Sequence, residues 1–80
     1  MKVVDLRVPS QGDGVESCLL AVWLADVGEQ VTEGKPVFEV ETDKATFAVD
    51  SPASGRLVER RAEAGDEVLV GSVVGLVEVP

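Results

Sequence analysis

Lys44 is the residue whose surroundings most invite chemistry. It lies in Glu41-Thr42-Asp43-Lys44-Ala45, with Glu39 just upstream. A lysine amine can form an amide with an activated carboxyl group, but only as the free base, and an exposed ammonium is almost wholly protonated near neutral pH. Asp43 beside it, and Glu39 and Glu41 if they lie close, favour the charged form. Lys44 should therefore acylate poorly unaided and depend on an enzyme that removes its proton. The plainer alternative is a solvated lysine in a turn. Cys18, the single cysteine, suits a small and partly buried strand position. Gln11-Gly12-Asp13-Gly14-Val15-Glu16 has too few carboxylates at the right spacing for a calcium loop.

Composition removes most other chemistries. No histidine is present, which excludes Ser-His-Asp and Cys-His nucleophile systems and any histidine-ligated zinc. A net charge of −8, with one Trp and two Phe, argues against a basic nucleic-acid groove lined with stacking rings. It suits a domain that meets basic partner surfaces. The longest apolar run, Cys18 to Ala25, is far short of the ~20 residues a membrane helix needs. Met1-Lys2-Val3-Val4-Asp5 lacks the apolar stretch of a signal peptide. One cysteine cannot form an intrachain disulfide, so a reducing compartment is the expectation. Eighty residues allow one domain spanning 1–80 and no second core.

The elements that must position Lys44 follow from seventeen valines cut at short intervals by Gly, Pro and Asp. Strands are expected over Val3 to Val8, Ser17 to Ala25, Val37 to Thr42, Ala45 to Asp50 and Arg56 to Ala62. Ser17 to Ala25 is long enough for a helix, but it has no clear N-cap, and its valine and tryptophan favour a strand. Turns fall at Val27-Gly28-Glu29, Gly34-Lys35-Pro36, Ser51-Pro52-Ala53-Ser54-Gly55, Gly65-Asp66 and Gly71-Ser72. No convincing helix is found, so the fold class is all-β.

A shift of the chain by 37 sharpens this. Gly28, Val31, Gly34, Val37, Val40 and Glu41 fall on Gly65, Val68, Gly71, Val74, Val77 and Glu78. Two similar halves, each too small to bury its own apolar face, are expected to close on each other as a sandwich with internal pseudo-twofold symmetry. Adding 37 to Asp43 reaches Pro80, so the symmetry places the Lys44 turn opposite the chain ends.

The pairing around Lys44 can be fixed separately. A hairpin centred between Asp43 and Lys44 sets Val40 opposite Phe47 and Phe38 opposite Val49, with Glu41 opposite Thr46 and Glu39 opposite Ala48. One face is then apolar and the other mostly polar. A slip of one residue would put Phe47 against a glutamate, so the pattern selects the register. Asp-Lys is a poor fit to the primed two-residue turns, and a type I turn or a slightly longer loop is expected.

Glu41-Thr42-Asp43-Lys44-Ala45, followed by Thr46-Phe47-Ala48-Val49 and Ser51-Pro52-Ala53-Ser54-Gly55, resembles the lipoyl domain of 2-oxo acid dehydrogenase acyltransferases. The likeness covers essentially the whole chain, including Val8-Pro9, Gly12-Asp13-Gly14, Gly28-Glu29-x-Val31 and Gly65-Asp66-x-Val68. It implies a flattened barrel, or barrel-sandwich hybrid, of two four-stranded antiparallel sheets. It further implies that Lys44 carries lipoic acid in amide linkage, flanked by the motif residues Glu41, Thr42, Asp43 and Ala45. Gly28 and Gly55 match glycines associated with presentation of the lysine, although turn geometry alone would account for them.

The resemblance also implies the partners. A lipoate ligase or lipoyl transferase attaches the cofactor, and a thiamine-dependent 2-oxo acid decarboxylase acylates it. A catalytic acyltransferase core receives the acyl group, and dihydrolipoamide dehydrogenase reoxidises the dithiol. No nucleic acid, membrane or metal is implied. The domain is a carrier with no turnover of its own, belonging to a dihydrolipoamide acyltransferase in the cytoplasm of a bacterium or the mitochondrial matrix of a eukaryote. Pro80 would begin an interdomain linker, and Glu-Thr-Asp-Lys-Ala leans toward pyruvate-type chains. The loop Gln11 to Val15 would lie near the hairpin and help a decarboxylase recognise its carrier.

Two rival readings remain beside it. Biotinyl carrier domains resemble the same fold, but they usually set methionine on both sides of the lysine, where this chain has Asp43 and Ala45. An unmodified barrel-sandwich adaptor would leave Lys44 a solvated turn residue. The lipoyl-bearing carrier of glycine cleavage is longer and has helical additions without counterpart here. Trp23 is expected to pack in the core or at an edge of the first half, and Arg60 and Arg61 on a solvated face.

Overall fold

The computed structural model describes residues 2–12 and 14–80. The valine-rich segments form eight strands: β1 (Lys2–Arg7), β2 (Ser17–Trp23), β3 (Gln30–Val31), β4 (Pro36–Glu41), β5 (Thr46–Asp50), β6 (Gly55–Arg60), β7 (Glu67–Leu69) and β8 (Val73–Val79). There is no helix among the described residues. One four-stranded antiparallel sheet has the order β1-β8-β6-β3, here called the terminal sheet because Lys2 pairs with Val79. The other, the hairpin sheet, has the order β5-β4-β2-β7. The sheets do not close into one barrel, so the molecule is a flattened sandwich.

The expected symmetry is present, but the halves are interleaved. Each sheet takes two strands from each half of the chain. The reason lies in β3 and β7, which follow tight glycine turns and cross to the sheet of the other half. Gly28 N–H donates to the Leu57 carbonyl at 2.7 Å, and Gly65 N–H donates to the Leu20 carbonyl at 2.8 Å. Both glycines sit at positive φ, +97° and +95°, where any side chain is strained. Strand ends differ from the sequence reading by a residue or two. β2, for instance, stops at Trp23, beyond which Leu24 N–H still donates to Val37 at 2.9 Å.

The equivalence extends to the core. Val31 and Val68, Val37 and Val74, and Val40 and Val77 are buried as pairs, as are Leu20 and Leu57. Phe38 and Leu6, with Leu20 and Leu57, are the four largest fully buried side chains. Burial of each such side chain contributes ~1.5–3 kcal/mol against the entropy of ordering so short a chain.

Matching bulges between Leu20 and Val22, and between Leu57 and Glu59, reverse the inside–outside alternation of β2 and β6. Trp23 and Arg60 are thereby turned inward. The Trp23 ring lies 5.3 Å from Phe38, and its Nε1–H donates to the Ala62 carbonyl at 2.9 Å. The Arg60 guanidinium lies 5.8 Å from the Trp23 ring and pairs with Glu63 at 3.1 Å. Arg60 therefore does not lie on a solvated face, as simple alternation suggests. Arg61 does remain exposed, paired with Glu59.

Candidate functional site

The hairpin register is the one the pattern demands. Val40 faces Phe47, Phe38 faces Val49, Glu39 faces Ala48 and Glu41 faces Thr46. Phe38 and Val40 are buried, but Phe47 is exposed because β5 is an edge strand near the open end of the sandwich. Glu41 closes β4, and Thr42-Asp43-Lys44-Ala45 form the turn.

Thr42 shapes that turn. Its backbone N–H donates to the Ala45 carbonyl at 2.9 Å. Its Oγ1 accepts from the N–H groups of both Lys44 and Ala45 at 3.3 Å. Among the described residues, none other than glycine has positive φ, which excludes the primed turn types and agrees with the expectation from Asp-Lys. The sequence reading placed Thr42 only as a flanking residue. The signal for its role was available, since a threonine hydroxyl can cap the next two amides of a tight turn.

Lys44 is exposed, as are Asp43, Ala45 and Glu41. Its ammonium makes no ion pair or hydrogen bond with any described residue. Thus, among the described residues, the side chain is held only through its backbone, and it is exposed to a modifying enzyme. That geometry fits an amide-linked arm, which needs a rigid base and a clear approach.

The position of the tip follows from the edge strands. Leu6 and Arg7 at the end of β1 line one groove together with Val49 and Asp50 at the end of β5 and with Phe38. Since the two strands converge at their final residues, their starts lie at opposite ends of a body 36 Å long. Lys44 is at one end, and Lys2 and Val79 are at the other.

An open groove of about 420 Å³ lies beside the hairpin, lined by Val15, Cys18, Leu19, Glu41, Thr42 and Asp43. Val15 thus brings the β1–β2 loop to the hairpin, as expected of the segment Gln11 to Val15, although Asp13 lies outside the described residues. Burial pushes the Cys18 thiol above its usual range. Among the described residues, no group of His, Cys, Asp and Glu could hold a metal ion.

The two glycines are not at the hairpin. Gly28 precedes β3 and meets turn geometry, with open space around it. Gly55 opposes Val31 in the terminal sheet and has no positive φ, which corrects its reading as a turn glycine. A Cβ there would overlap the Glu78 carbonyl of β8, so the requirement is close approach of two strands.

Comparison with known proteins adds the following. A family model described as biotin-requiring enzyme (Biotin_lipoyl) matches residues 4–77. The dihydrolipoyllysine-residue succinyltransferase component of the 2-oxoglutarate dehydrogenase complex of Bartonella vinsonii subsp. berkhoffii is 40% identical over 74 residues, which cover 92% of this chain and 18% of that protein. The acetyltransferase component of the pyruvate dehydrogenase complex of Corynebacterium glutamicum is 35% identical over 73 residues, covering 91% of this chain and 11% of that protein. The chain thus spans less than a fifth of these relatives. The solution structure of the lipoyl domain of the Azotobacter vinelandii 2-oxoglutarate dehydrogenase complex superposes with a TM-score of 0.77 at 28% identity, covering 95% of this chain and 96% of that one.

Proposed function

The chain belongs to the Biotin_lipoyl family, and from that membership we propose that it is a lipoyl carrier domain whose Lys44 holds lipoic acid in amide linkage. The observation that carries this reading is an exposed lysine, paired with no described residue, at the tip of a turn fixed by Thr42. Lipoic acid, when bound, supplies a dithiolane that accepts an acyl group together with electrons. This chain's own part is to hold the arm's base rigid and clear of other groups.

Attachment would proceed by attack of the Lys44 amine on a lipoyl-adenylate. A carbon–nitrogen bond forms, the carbonyl–phosphate bond breaks, AMP leaves, and the ligase takes the ammonium proton. Besides the ligase or lipoyl transferase, the partners are a thiamine-dependent 2-oxo acid decarboxylase, a catalytic acyltransferase core and dihydrolipoamide dehydrogenase. Residues 1–80, whose match covers 18% and 11% of two such relatives, would be one module of a longer acyltransferase chain in the cytoplasm of a bacterium. Relatives from 2-oxoglutarate and pyruvate complexes match at 40% and 35% identity, so likeness alone favours no single 2-oxo acid.

Co-expression with a lipoate ligase, followed by intact mass measurement, tests the reading. A lipoyl increment that is absent in Lys44→Ala supports it. A biotin increment under co-expressed biotin ligase, or no increment at all, rejects it.

A further inference from the structure

The charges of the strands are sorted between the two sheets. In the hairpin sheet, β2, β4, β5 and β7 read SCLLAVW, PVFEVE, TFAVD and EVL, with Glu39, Glu41, Asp50 and Glu67 and no cation. In the terminal sheet, Lys2, Arg7, Arg56 and Arg60 accompany Asp5, Glu59 and Glu78. Lys44 is the only cation on the hairpin sheet or on the turn joining two of its strands.

The pseudo-twofold gives an internal control. Leu19 lies between Glu41 and Glu67 on neighbouring strands. Its equivalent, Arg56, lies opposite Glu78 and Gln30. One site is a charge-compensated surface. The other is a leucine, 43% exposed, between two uncompensated carboxylates. Val22 on β2 and Leu24 just past its end continue the exposed apolar strip, and Leu69 extends it on β7 at 63% exposure. An apolar strip rimmed by like charges, running up to the hairpin, is a surface built for contact. Amide formation at Lys44 would remove the one cation of the turn that joins β4 and β5, so the hairpin end of the face suits a basic partner best after modification.

Resting on the lipoyl carrier reading, we propose that the outer face of the hairpin sheet docks the enzyme that loads the modified arm. That enzyme's contact surface carries arginines or lysines around exposed apolar side chains. Leu19 and Leu69 supply the buried centre, and Glu39, Glu41 and Glu67 supply the steering charge. The face adjoins the Gln11–Val15 loop, since Val15 lines the groove beside the hairpin together with Leu19, Glu41 and Glu67.

The test uses the lipoylated chain and three purified thiamine-dependent decarboxylases, specific for pyruvate, 2-oxoglutarate and branched-chain 2-oxo acids. Binding is measured by fluorescence anisotropy at about 50 and 300 mM salt, with reductive acylation as a second readout. The double variant L19R/E67Q gives this face its counterpart's residues, which the same ladder already accommodates. Leu69→Ser is the second variant, and Arg56→Leu on the terminal sheet is the control. L19R/E67Q is expected to weaken binding by roughly tenfold at low salt and to flatten its salt dependence. Arg56→Leu should stay within about twofold of wild type. Unchanged binding in both L19R/E67Q and Leu69→Ser overturns the proposal. So does a slowed lipoylation without a binding change, which assigns the face to the ligase. A lipoylated wild type that binds none of the three decarboxylases also overturns it, while the mass measurement leaves the carrier reading standing. A wild type that gains no lipoyl mass ends both.

Discussion

Val40 opposite Phe47 and Phe38 opposite Val49 in the hairpin sheet have pair-for-pair equivalents in the terminal sheet, Val77 opposite Val4 and Gly75 opposite Leu6. Even the irregular last pair is repeated, Pro36 with Asp50 and Val73 with Arg7. One ladder ends in a four-residue turn that carries Lys44. The other ends in the separate residues Lys2 and Val79. The difference teaches that backbone pairing follows the repeat closely while side chains diverge wherever packing or exposure allows. Phe38 fills the core on one side. At its equivalent, Gly75, a Cβ would come within 3.0 Å of the Trp23 ring. Thus a large residue and a small one share one symmetric interior.

The comparison can be broken most directly in the core. Leu20→Ala and Leu57→Ala remove equivalent, fully buried side chains, and each is expected to cost about 3 kcal/mol in urea unfolding. The two costs should agree to within about 1 kcal/mol. A larger gap would show that the halves are alike in pairing but not in packing.

A smaller effect separates Gly55 from its equivalent, Cys18. Gly55→Ala drives a methyl group against the Glu78 carbonyl and should cost about 2 kcal/mol. Cys18→Ala, beside the open groove, should cost about 1 kcal/mol. Equal costs would mean that the strands move apart to admit the methyl.

Thr42→Val tests the turn that only one ladder possesses. Losing the acceptor for Lys44 and Ala45 should cost about 1 kcal/mol or less. Lipoylation by the ligase should slow, with the same final mass. An unchanged rate would show that backbone pairing alone presents Lys44.

The smallest expected effect concerns pH. Burial raises the Cys18 thiol above its ordinary value near 9.0, so the folded chain holds that proton more tightly than the unfolded chain. Its contribution is therefore constant below pH 9.0 and falls as pH rises above it. Relative to Cys18→Ala, wild type should lose stability from that point upward, and its thiol should react slowly with an alkylating reagent until urea unfolds it. Fast alkylation of the folded chain at pH 8 would contradict the burial.

Much of the site was legible because its signals are local. Alternation around Phe38, Val40, Phe47 and Val49 admits one register, since a slip of one residue buries a glutamate. Arg60 was misplaced for the converse reason. The bulge at Leu57 and Glu59 is a choice of backbone hydrogen bonds, and no residue type in Arg56 to Arg60 announces it. Gly55 was misassigned because a glycine's sequence context does not reveal which strand lies against it.

The sequence by itself determined the all-β class, the repeat by 37, the hairpin register and Lys44 at its tip, because strand period and turn chemistry act between near neighbours. Tertiary structure alone decided that the halves interleave. It also decided that Trp23 and Arg60 turn inward and that the strand cations gather on one sheet. Each of these depends on which distant strand supplies the hydrogen bonds, and that is settled only when both apolar faces are buried together.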